Sequence, residues 1–349
     1  METRYDLSRN DLAEWLGDVP RYRVDQLWDA LHRHLADTDG MTTLPKQLRA
    51  RIDAELPTAL SVVTERVSDG GDTVKFLWSL HDGARIETVL MLYPDRATVC
   101  VSTQAGCAMA CGFCATGQAG FTRQLTAGEI IEQVVRAARH ARSLGRRVGN
   151  IVFMGMGEPL ANEPAVHAAV TRLHEDVGIS ARHLTVSTVG IVPGIRRLAA
   201  WSEPVNLAVS LHAANDTLRD ELVPINRRYP LDELMNACAD YLERRGRRLS
   251  FEWALIDGVN DRSEHALELA ERCLDLPLAA HVNLIPLNST PGYPTRGTPP
   301  AGVSRFRSEL VRLGVNATIR SNRGNDIDAA CGQLAAGQAT HPIEIRRRP

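Results

Sequence analysis

Residues 107–114 read Cys107-Ala-Met-Ala-Cys111-Gly-Phe-Cys114, a C-x3-C-x2-C pattern. Three thiolates this close together can bind three iron corners of a [4Fe–4S] cube, for which four cysteines are the usual complete set. Because no fourth cysteine is nearby, one iron stays open for a substrate or cofactor. Zinc C-x2-C pairs instead need a second pair or two histidines downstream. A metal site of another kind and three redox-inert cysteines are the alternatives.

Length and composition leave room for one large domain or for a main domain with a smaller one. The chain has 349 residues, of which 40 are basic and 42 acidic, so net charge does not indicate a nucleic-acid binder. There is no apolar signal segment and no run long enough to span a bilayer. The seven cysteines are therefore expected in a reducing cytoplasm, where clustered cysteines bind metals or act in catalysis.

The first 95 residues predict two small units. Residues 1–58 form a helical accessory domain, because Val24, Leu27, Trp28 and Leu31 recur at helical spacing. Residues 59–95 form a β-meander, with strands separated by the turn signals Ser68-Asp-Gly-Gly-Asp72 and His81-Asp-Gly83. Residues 335–349 are a C-terminal tail.

Residues 96–334 alternate predicted strands with predicted helices. The clearest helix spans Thr126–Leu144, where Thr126 and Glu129 form a T-x-x-E capping box. Such alternation is typical of the α/β class with parallel βαβ units. In these folds chemistry collects in the loops beyond the carboxyl ends of the strands, and the cysteine triplet follows the first strand.

Polar residues follow later strands at the same predicted edge. Gly155-Met-Gly157-Glu158-Pro159 follows the second strand, so its glycines predict a close backbone approach to a ligand and Glu158 predicts an ammonium partner. A tight turn with an exposed acid is the alternative. Other strand ends carry Ser187, Ser210, His212 and Asn288. Each residue alone is ordinary, but their common position favours one binding site.

Two further cysteines are candidates for covalent chemistry. Cys331 lies in Asp326-Ile-Asp-Ala-Ala-Cys331-Gly-Gln333, where Gly332 and the acidic pair suggest a shaped loop and a nucleophilic thiol; a buried apolar side chain is the alternative. Cys100 lies in the predicted strand just before the triplet, seven residues ahead of Cys107. If the strands close a barrel, the two thiols can meet near its mouth, which suggests a covalent intermediate resolved by disulfide formation.

At these residues the chain resembles a known family, the RlmN-type dual-specificity RNA methyltransferases, which are radical S-adenosylmethionine (SAM) enzymes. The resemblance runs from about Arg21 to Leu334. It implies a partial (β/α)6 radical SAM barrel in residues 96–334 and an RNA-binding role for residues 1–58. Its carriers are the cysteine triplet, Phe153–Leu160, Ser210–Ala213, Leu222–Pro230, His281–Pro286 and Asp326–Leu334.

The resemblance assigns roles position by position. Cys331 matches the cysteine that one SAM first methylates, and Cys100 matches the thiol that later forms a transient disulfide with it. Glu87, which does not stand out by spacing, matches the general base that removes the ring proton. Cys107, Cys111 and Cys114 match the ligands of a [4Fe–4S] cluster. The residues that match contacts to SAM are Gly157, Glu158, Ser187, Ser210, Leu211, His212 and Asn288.

The implied reaction converts adenosine to 2-methyladenosine in 23S rRNA at the peptidyl transferase centre and in tRNA anticodon loops. The resemblance also implies an external electron donor, such as a flavodoxin-like protein, and a cytoplasmic, membrane-free location; we expect a monomer. A Cfr-type enzyme, which methylates C8, is the first alternative, although its typical Gly-Glu-Ala differs from Gly157-Glu158-Pro159. A non-catalytic iron–sulfur RNA-binding protein would not need Cys331. A radical SAM enzyme for a small molecule would not need residues 1–58.

Overall fold

The computed structural model describes residues 2–337, so the predicted tail at 335–349 lies almost wholly outside the described residues. The α-helices are α1 (Arg9–Leu16), α2 (Tyr22–His32), α3 (Lys46–Glu55), α4 (Ala115–Ala119), α5 (Ala127–Ser143), α6 (Glu163–Glu175), α7 (Val192–Leu198), α8 (Asp216–Leu222), α9 (Leu231–Arg245), α10 (Ser263–Leu274) and α11 (Pro300–Arg312). The strands are β1 (Ser61–Ser68), β2 (Thr73–Ser79), β3 (Arg85–Leu92), β4 (Ala97–Cys100), β5 (Gln104–Gly106), β6 (Phe121–Gln124), β7 (Val148–Phe153), β8 (Leu184–Thr188), β9 (Asn206–Ser210), β10 (Leu249–Leu255), β11 (His281–Pro286) and β12 (Asn316–Ile319).

Ten strands form one sheet in the order β1-β2-β3-β4-β7-β8-β9-β10-β11-β12. The pairs from β1 to β4 are antiparallel. The pairs from β4 to β12 are parallel. Within residues 2–337 β4 does not pair with β12, so the barrel is partial. The α/β class and the partial barrel are therefore confirmed, with β12 added as a seventh parallel strand beside the six of the barrel.

The parallel strands are apolar because helices cover them. Every residue of β10 is buried, and it carries one acid, Glu252, within an otherwise largely apolar run. The longest helix that covers the sheet, α5, begins at the predicted capping box. The Thr126 hydroxyl accepts from the backbone N–H of Glu129 at 3.1 Å, and the Glu129 carboxylate accepts from the N–H of Thr126 at 2.9 Å. This box fixes where the chain leaves the cysteine-bearing connection and enters the helix.

The N-terminal helices dock on α5 and α6 through polar contacts. The Arg139 guanidinium donates to the carbonyl oxygen of Ala36 at 2.6 Å, just beyond the carboxyl end of α2. The Trp28 indole N–H donates to the carboxylate of Asp176 at 2.8 Å. A cation at the carboxyl end of a helix satisfies carbonyl groups that lack helical partners. These contacts fix the N-terminal unit to the outside of the barrel.

The meander is continuous with the main sheet, since β3 pairs with β4 from Val89–Cys100 to Leu92–Ala97. Elements for which no span was predicted include α1, α4 and the hairpin in which β5 pairs with β6. A three-residue strand such as β5 is too short to show a period in sequence. Among residues 2–337 no helix is long and apolar enough to cross a membrane.

Candidate active site

A cavity of about 430 Å³ lies along the inner face of the parallel strands and their carboxyl ends. Nearly all of the predicted site residues share its wall. Those that line it are Cys100, Cys107, Cys111, Cys114, Gly157, Glu158, Ser187, Ser210, His212, Asn288 and Cys331. The structure does not bring Glu87 and Leu211 into this wall. Residues more than two hundred positions apart in the chain therefore meet at the one edge that the strand pattern predicts.

The cysteine loop, residues 107–114, is held at both ends. The backbone N–H of Cys107 donates to the carbonyl oxygen of Gly120 at 2.7 Å, across the β5–β6 hairpin. On the other side α4 lies directly against the loop, since a Cβ on Gly117 would come within 2.9 Å of the carbonyl oxygen of Cys111. The short connections on both sides leave the three thiols facing the same cavity.

The buried thiols of the triplet form a site that a metal cation would stabilise in the deprotonated state. Burial raises the pKa of Cys111 well above its ordinary value, and the nearby thiols of Cys114 and Cys107 raise it further. Burial also raises the pKa of Cys107 to about 12. Bound iron removes this penalty because it deprotonates a coordinating thiol. Within residues 2–337 no three His, Cys, Asp or Glu side chains converge on a single ion, but a cube needs no convergence because each thiolate binds its own iron.

Glu158 is an enclosed carboxylate at the cavity wall, with 2% of its surface exposed. Its Oε1 accepts from the N–H of Leu160 at 3.0 Å, and its Oε2 accepts from the N–H of Val189 at 2.8 Å. Burial raises its pKa to about 7, against the opposing effect of these donors. Since each carboxylate oxygen has a second lone pair, Glu158 can still accept from an ammonium group in the cavity.

The two glycines before Glu158 pack closely against other residues of the same chain. A Cβ on Gly155 would lie 2.6 Å from the carbonyl oxygen of Val101. Gly157 has φ +102°, and a Cβ there would lie 2.5 Å from the Cβ of Gln104. Residues 101–104 therefore make one close approach to these glycines, and the predicted approach of a ligand stays a prediction. Both Gly155 and Gly157 line the cavity on their other side.

His212 is a neutral hydrogen-bond donor toward the cavity. Its Nδ1 accepts from the N–H of Ala254 at 2.9 Å, so the ring proton is on Nε2. Burial, and then the charge of Arg219, lowers its pKa to about 3. The ring packs edge-to-face on Phe113 of the cysteine loop, with centroids 4.8 Å apart. His212, two residues after the end of β9, thereby packs against the loop that carries the three thiols.

The remaining predicted SAM contacts divide into three kinds. Ser187 and Ser210 lie at the carboxyl ends of β8 and β9, and both line the cavity as expected. Asn288 also lines it, but its amide donates to the carbonyl oxygen of Cys331 at 3.0 Å and its Oδ1 accepts from Asn322 at 2.6 Å. The side chain of Leu211 lies in the hydrophobic core, so its predicted contact is not supported by the side chain.

Cys100 and Cys331 both line this cavity. Burial raises the pKa of Cys100 to about 12, the Cys331 thiol raises it further, and the charge of Arg320 opposes both effects. All seven cysteines, including this pair, are free thiols in the structure. Cys331 is exposed to the cavity, and the cysteine loop is close to it, because the N–H of Ala115 donates to the carbonyl oxygen of Gly332 at 2.7 Å. The two thiols and the triplet thus share one enclosed space.

Glu87 lies outside this space. Its Oε1 pairs with the Lys75 ammonium at 2.9 Å, and its Oε2 accepts from the N–H groups of Ala335 and Ala336 at 2.9 and 3.0 Å. It lines a neighbouring cavity of about 260 Å³ that Cys331 does not line. In this structure Glu87 anchors the chain after Cys331, and its role as a general base stays a prediction.

Sequence reasoning missed a charged pair inside the cavity. Arg320, the residue after β12, donates to Glu252 at 3.2 Å and to the sulfur of Met154 at 3.8 Å. Burial raises the pKa of Cys331, and the positive charge of Arg320 opposes this rise. An acid within an apolar strand and an arginine directly after another strand were the available signals, because buried charges are usually paired.

Comparisons with known proteins cover nearly the whole chain. A family model described as the Radical SAM superfamily matches residues 101–270. A probable dual-specificity RNA methyltransferase RlmN from Parafrankia sp. is 53% identical and covers 95% of this chain and 91% of that protein. One from Chloroflexus aurantiacus is 48% identical over 98% of this chain and 95% of that protein. The crystal structure of a radical SAM methyltransferase from Sphaerobacter thermophilus matches with a TM-score of 0.93 and 53% identity, over 96% of this chain and all of that one.

Proposed function

Because the chain belongs to the RlmN family of dual-specificity RNA methyltransferases, we propose that it methylates C2 of an adenine in rRNA and in tRNA. The chain is a radical SAM enzyme that uses a [4Fe–4S] cluster and SAM. The observation that carries the proposal is one cavity lined by the cysteine triplet, by Cys331 and by Cys100. When bound, the cluster and SAM supply the one-electron chemistry that a poorly nucleophilic ring carbon requires.

The chain's own residues prepare the cavity for SAM. Cys107, Cys111 and Cys114 would hold the cluster. The Glu158 carboxylate would accept from the SAM ammonium group, and the Nε2–H of His212 would donate to a polar atom of the ligand. Both groups are fixed before any ligand arrives, since backbone N–H groups bind Glu158 and Nδ1 of His212. Pre-set partners lower the ordering cost of binding.

Cys331 is proposed as the residue that carries the methyl group to the RNA. This proposal is supported by its exposure to the cavity and its proximity to the cysteine loop, where it could meet both SAM and an unstacked base. Cys100 would then form a transient disulfide with Cys331 as the product leaves. Support for this step is that both thiols line one cavity and that both are free in this structure.

Glu87 is proposed to act on the RNA base only after the chain at Ala335 and Ala336 has released its carboxylate. Both carboxylate oxygens are otherwise engaged, by Lys75 and by these two N–H groups. A general base must lie within hydrogen-bond reach of the proton it removes, whereas Glu87 here lines a cavity that Cys331 does not line. We expect the RNA base, as it enters beside Cys331, to displace the amides of Ala335 and Ala336 from the Glu87 carboxylate.

Partners and location follow from the RNA substrate. The helical unit docked on α5 and α6 is proposed to bind RNA outside the cavity, in keeping with recognition of single-stranded loops whose bases can be unstacked. An external flavodoxin-like donor would supply electrons in the cytoplasm. One chain contains every proposed residue, so a monomer suffices.

Methylation of defined RNA tests the proposal. Anaerobically reconstituted protein would be incubated with SAM, a reductant and either rRNA or tRNA, and the digested RNA analysed by mass spectrometry against methyladenosine standards. We expect 2-methyladenosine, lost in Cys331→Ala and retained in Cys273→Ala, a buried cysteine of α10 that serves as the matched control. A product of 8-methyladenosine would identify the Cfr-type reaction instead. No methylated adenosine despite an intact cluster and SAM cleavage would overturn the RNA assignment.

A further inference from the structure

Arg219 in α8 is a buried cation held by neutral groups. Its side chain is fully inaccessible to solvent. Its Nε donates to the carbonyl oxygen of Leu211 at 3.1 Å, and its Nη2 donates to those of Val189 and Ser210 at 2.7 and 3.3 Å. Its Nη1 donates to Oδ1 of Asn226 at 2.7 Å. These hydrogen bonds are satisfied, but none of the partners carries the negative charge that a buried cation normally requires.

The nearest acids lie one residue further out. Asn226 uses its amide nitrogen to donate to Asp216 and Asp220, both at 2.8 Å. Asp216 is exposed and Asp220 is half-buried, so solvent screens them more than it screens the arginine. Asn226 therefore separates the guanidinium from its acids, and the positive charge of Arg219 is not cancelled on the cavity side.

The cavity side of Arg219 is the cysteine loop. Leu218 and Leu222, which flank Arg219 along α8, pack in one apolar group with Cys111 and Phe113. Two of its acceptors, Val189 and Ser210, line the cavity. Burial lowers the pKa of Arg219 to about 10, and among the charged groups that raise it Cys111 has the largest effect. Arg219 and Cys111 thus lie close enough, across this apolar group, for the charge of one to influence the other.

A cluster bound by the triplet supplies the missing negative charge. A [4Fe–4S] cube with three thiolates is an anion, and one-electron reduction adds a further negative charge. A cation in a low-dielectric site favours the more negative state, and charges and hydrogen bonds near a cluster set its potential. Arg219 will therefore stabilise the reduced cluster more than the oxidised one.

We infer that Arg219 is a positioning residue that ties the ends of β8 and β9 to the cysteine loop and raises the reduction potential of the cluster there. This inference rests on the cluster of the radical SAM family and not on the identity of the RNA. Through its bonds at Val189, Ser210 and Leu211 one side chain would couple the geometry of the SAM wall to the readiness of the cluster to accept an electron.

The test is a potentiometric titration of the reconstituted full-length protein, without RNA, followed by the EPR signal of the reduced cluster. Arg219→Gln should lower the reduced-to-oxidised ratio at a fixed potential about tenfold, which is ~59 mV for one electron. Arg219→Lys keeps the charge and should stay within about threefold of the unmodified protein. Arg139→Gln is the matched control, because Arg139 also donates to backbone carbonyl groups but lies at the N-terminal unit; its ratio should not change.

An unchanged potential in Arg219→Gln with an intact cluster spectrum would overturn the inference. Equal shifts in the lysine and glutamine variants would also overturn it, since geometry and not charge would then set the potential. If Arg219→Gln cannot hold the cluster, the same titration is made with Asp220→Asn, which removes a nearby acid and leaves Arg219 in place. The reduced fraction should then rise, and no change would refute the electrostatic role. Because RNA is absent, each outcome is independent of whether the RNA assignment holds.

Discussion

Glu158 shows how a single side chain prepares the cavity for a cation. The acid is buried, and two backbone N–H groups hold both of its oxygens in place. These donors offset only part of the desolvation cost, so its pKa is raised to about 7. Perturbed pKa values of this kind are common at functional sites. An ammonium group entering the cavity would favour the ionised form.

This raised pKa predicts how stability depends on pH. In the unfolded chain the glutamate titrates near 4.5, and in the fold near 7. Folding favours the protonated form of Glu158. The stability gained in this way is fully present below pH 4.5 and is lost as pH rises through about 7. The difference corresponds to about 3 kcal/mol. Urea unfolding of the iron-free chain at pH 5 and pH 8 should show Glu158→Gln losing less of its free energy of unfolding than the unmodified chain.

A glutamate on the surface supplies the control. Glu243 of α9 is exposed, and Glu243→Gln should follow the unmodified chain at both pH values. If Glu158→Gln also follows the unmodified chain, the carboxyl group is not held in the desolvated environment described here.

Sequence alone located most of the site but not its supporting charges. The cysteine triplet, Glu158 and the strand-end residues were predicted, because thiolate spacing and parallel-strand topology both point to one edge. Arg219 and Arg320 were not. Their significance lies in contacts to groups such as Val189 and Glu252, 30 and 68 positions away, which no local spacing reveals.

The C-terminal segment, residues 324–337, behaves as one structural element although it contains little regular structure. Lys75 donates to the carbonyl oxygen of Asp328 at 3.1 Å, and Thr116 donates to that of Leu334 at 2.6 Å. The Glu87 carboxylate accepts from the backbone N–H groups of the two residues after Leu334. These contacts come from the meander and from α4. The segment therefore holds Cys331 between the extension of the sheet and the helix after the cysteine loop.

The Lys75–Glu87 pair predicts how firmly this segment is held. The two side chains are only 8% and 5% exposed, so removing one leaves a buried, unpaired charge. Glu87→Gln should cost about 3–5 kcal/mol of stability. Hydrogen exchange at Ala335 and Ala336 should accelerate, because their amides lose a charged acceptor.

The double variant Lys75→Met with Glu87→Gln is the companion measurement. It removes both charges, so it should recover part of the stability that Glu87→Gln loses. A double variant no more stable than the single one, or exchange at Ala335 and Ala336 that does not change, would show that the pair does not anchor the segment.

Elements of regular structure were easier to predict than this segment. Helix α5, Ala127–Ser143, differs by one residue at each end from the predicted span Thr126–Leu144. Alternation and helical spacing report which face of an element is buried. The C-terminal segment has neither period, because its backbone is held by side chains from distant elements.

Across the entire chain, one continuous sheet brings the parts of the proposed reaction together. The antiparallel meander continues into the parallel strands, and the C-terminal segment crosses back over the meander. The N-terminal helices dock on the outside of the same barrel. Cys331, near the end of the chain, is thereby placed beside Cys100 and the cysteine loop. The order of events that we propose, methyl to Cys331 and then to RNA, depends on this arrangement.

Isotope transfer in a single turnover tests that order most directly. Protein would first be treated with SAM carrying a ¹³C methyl group, freed of SAM, and then supplied with unlabelled SAM, reductant and RNA. Peptide mass spectrometry should find ¹³C on Cys331 before RNA is added, and the first 2-methyladenosine formed should contain ¹³C. If the first product carries only unlabelled carbon, the methyl group comes directly from SAM and Cys331 is not its carrier.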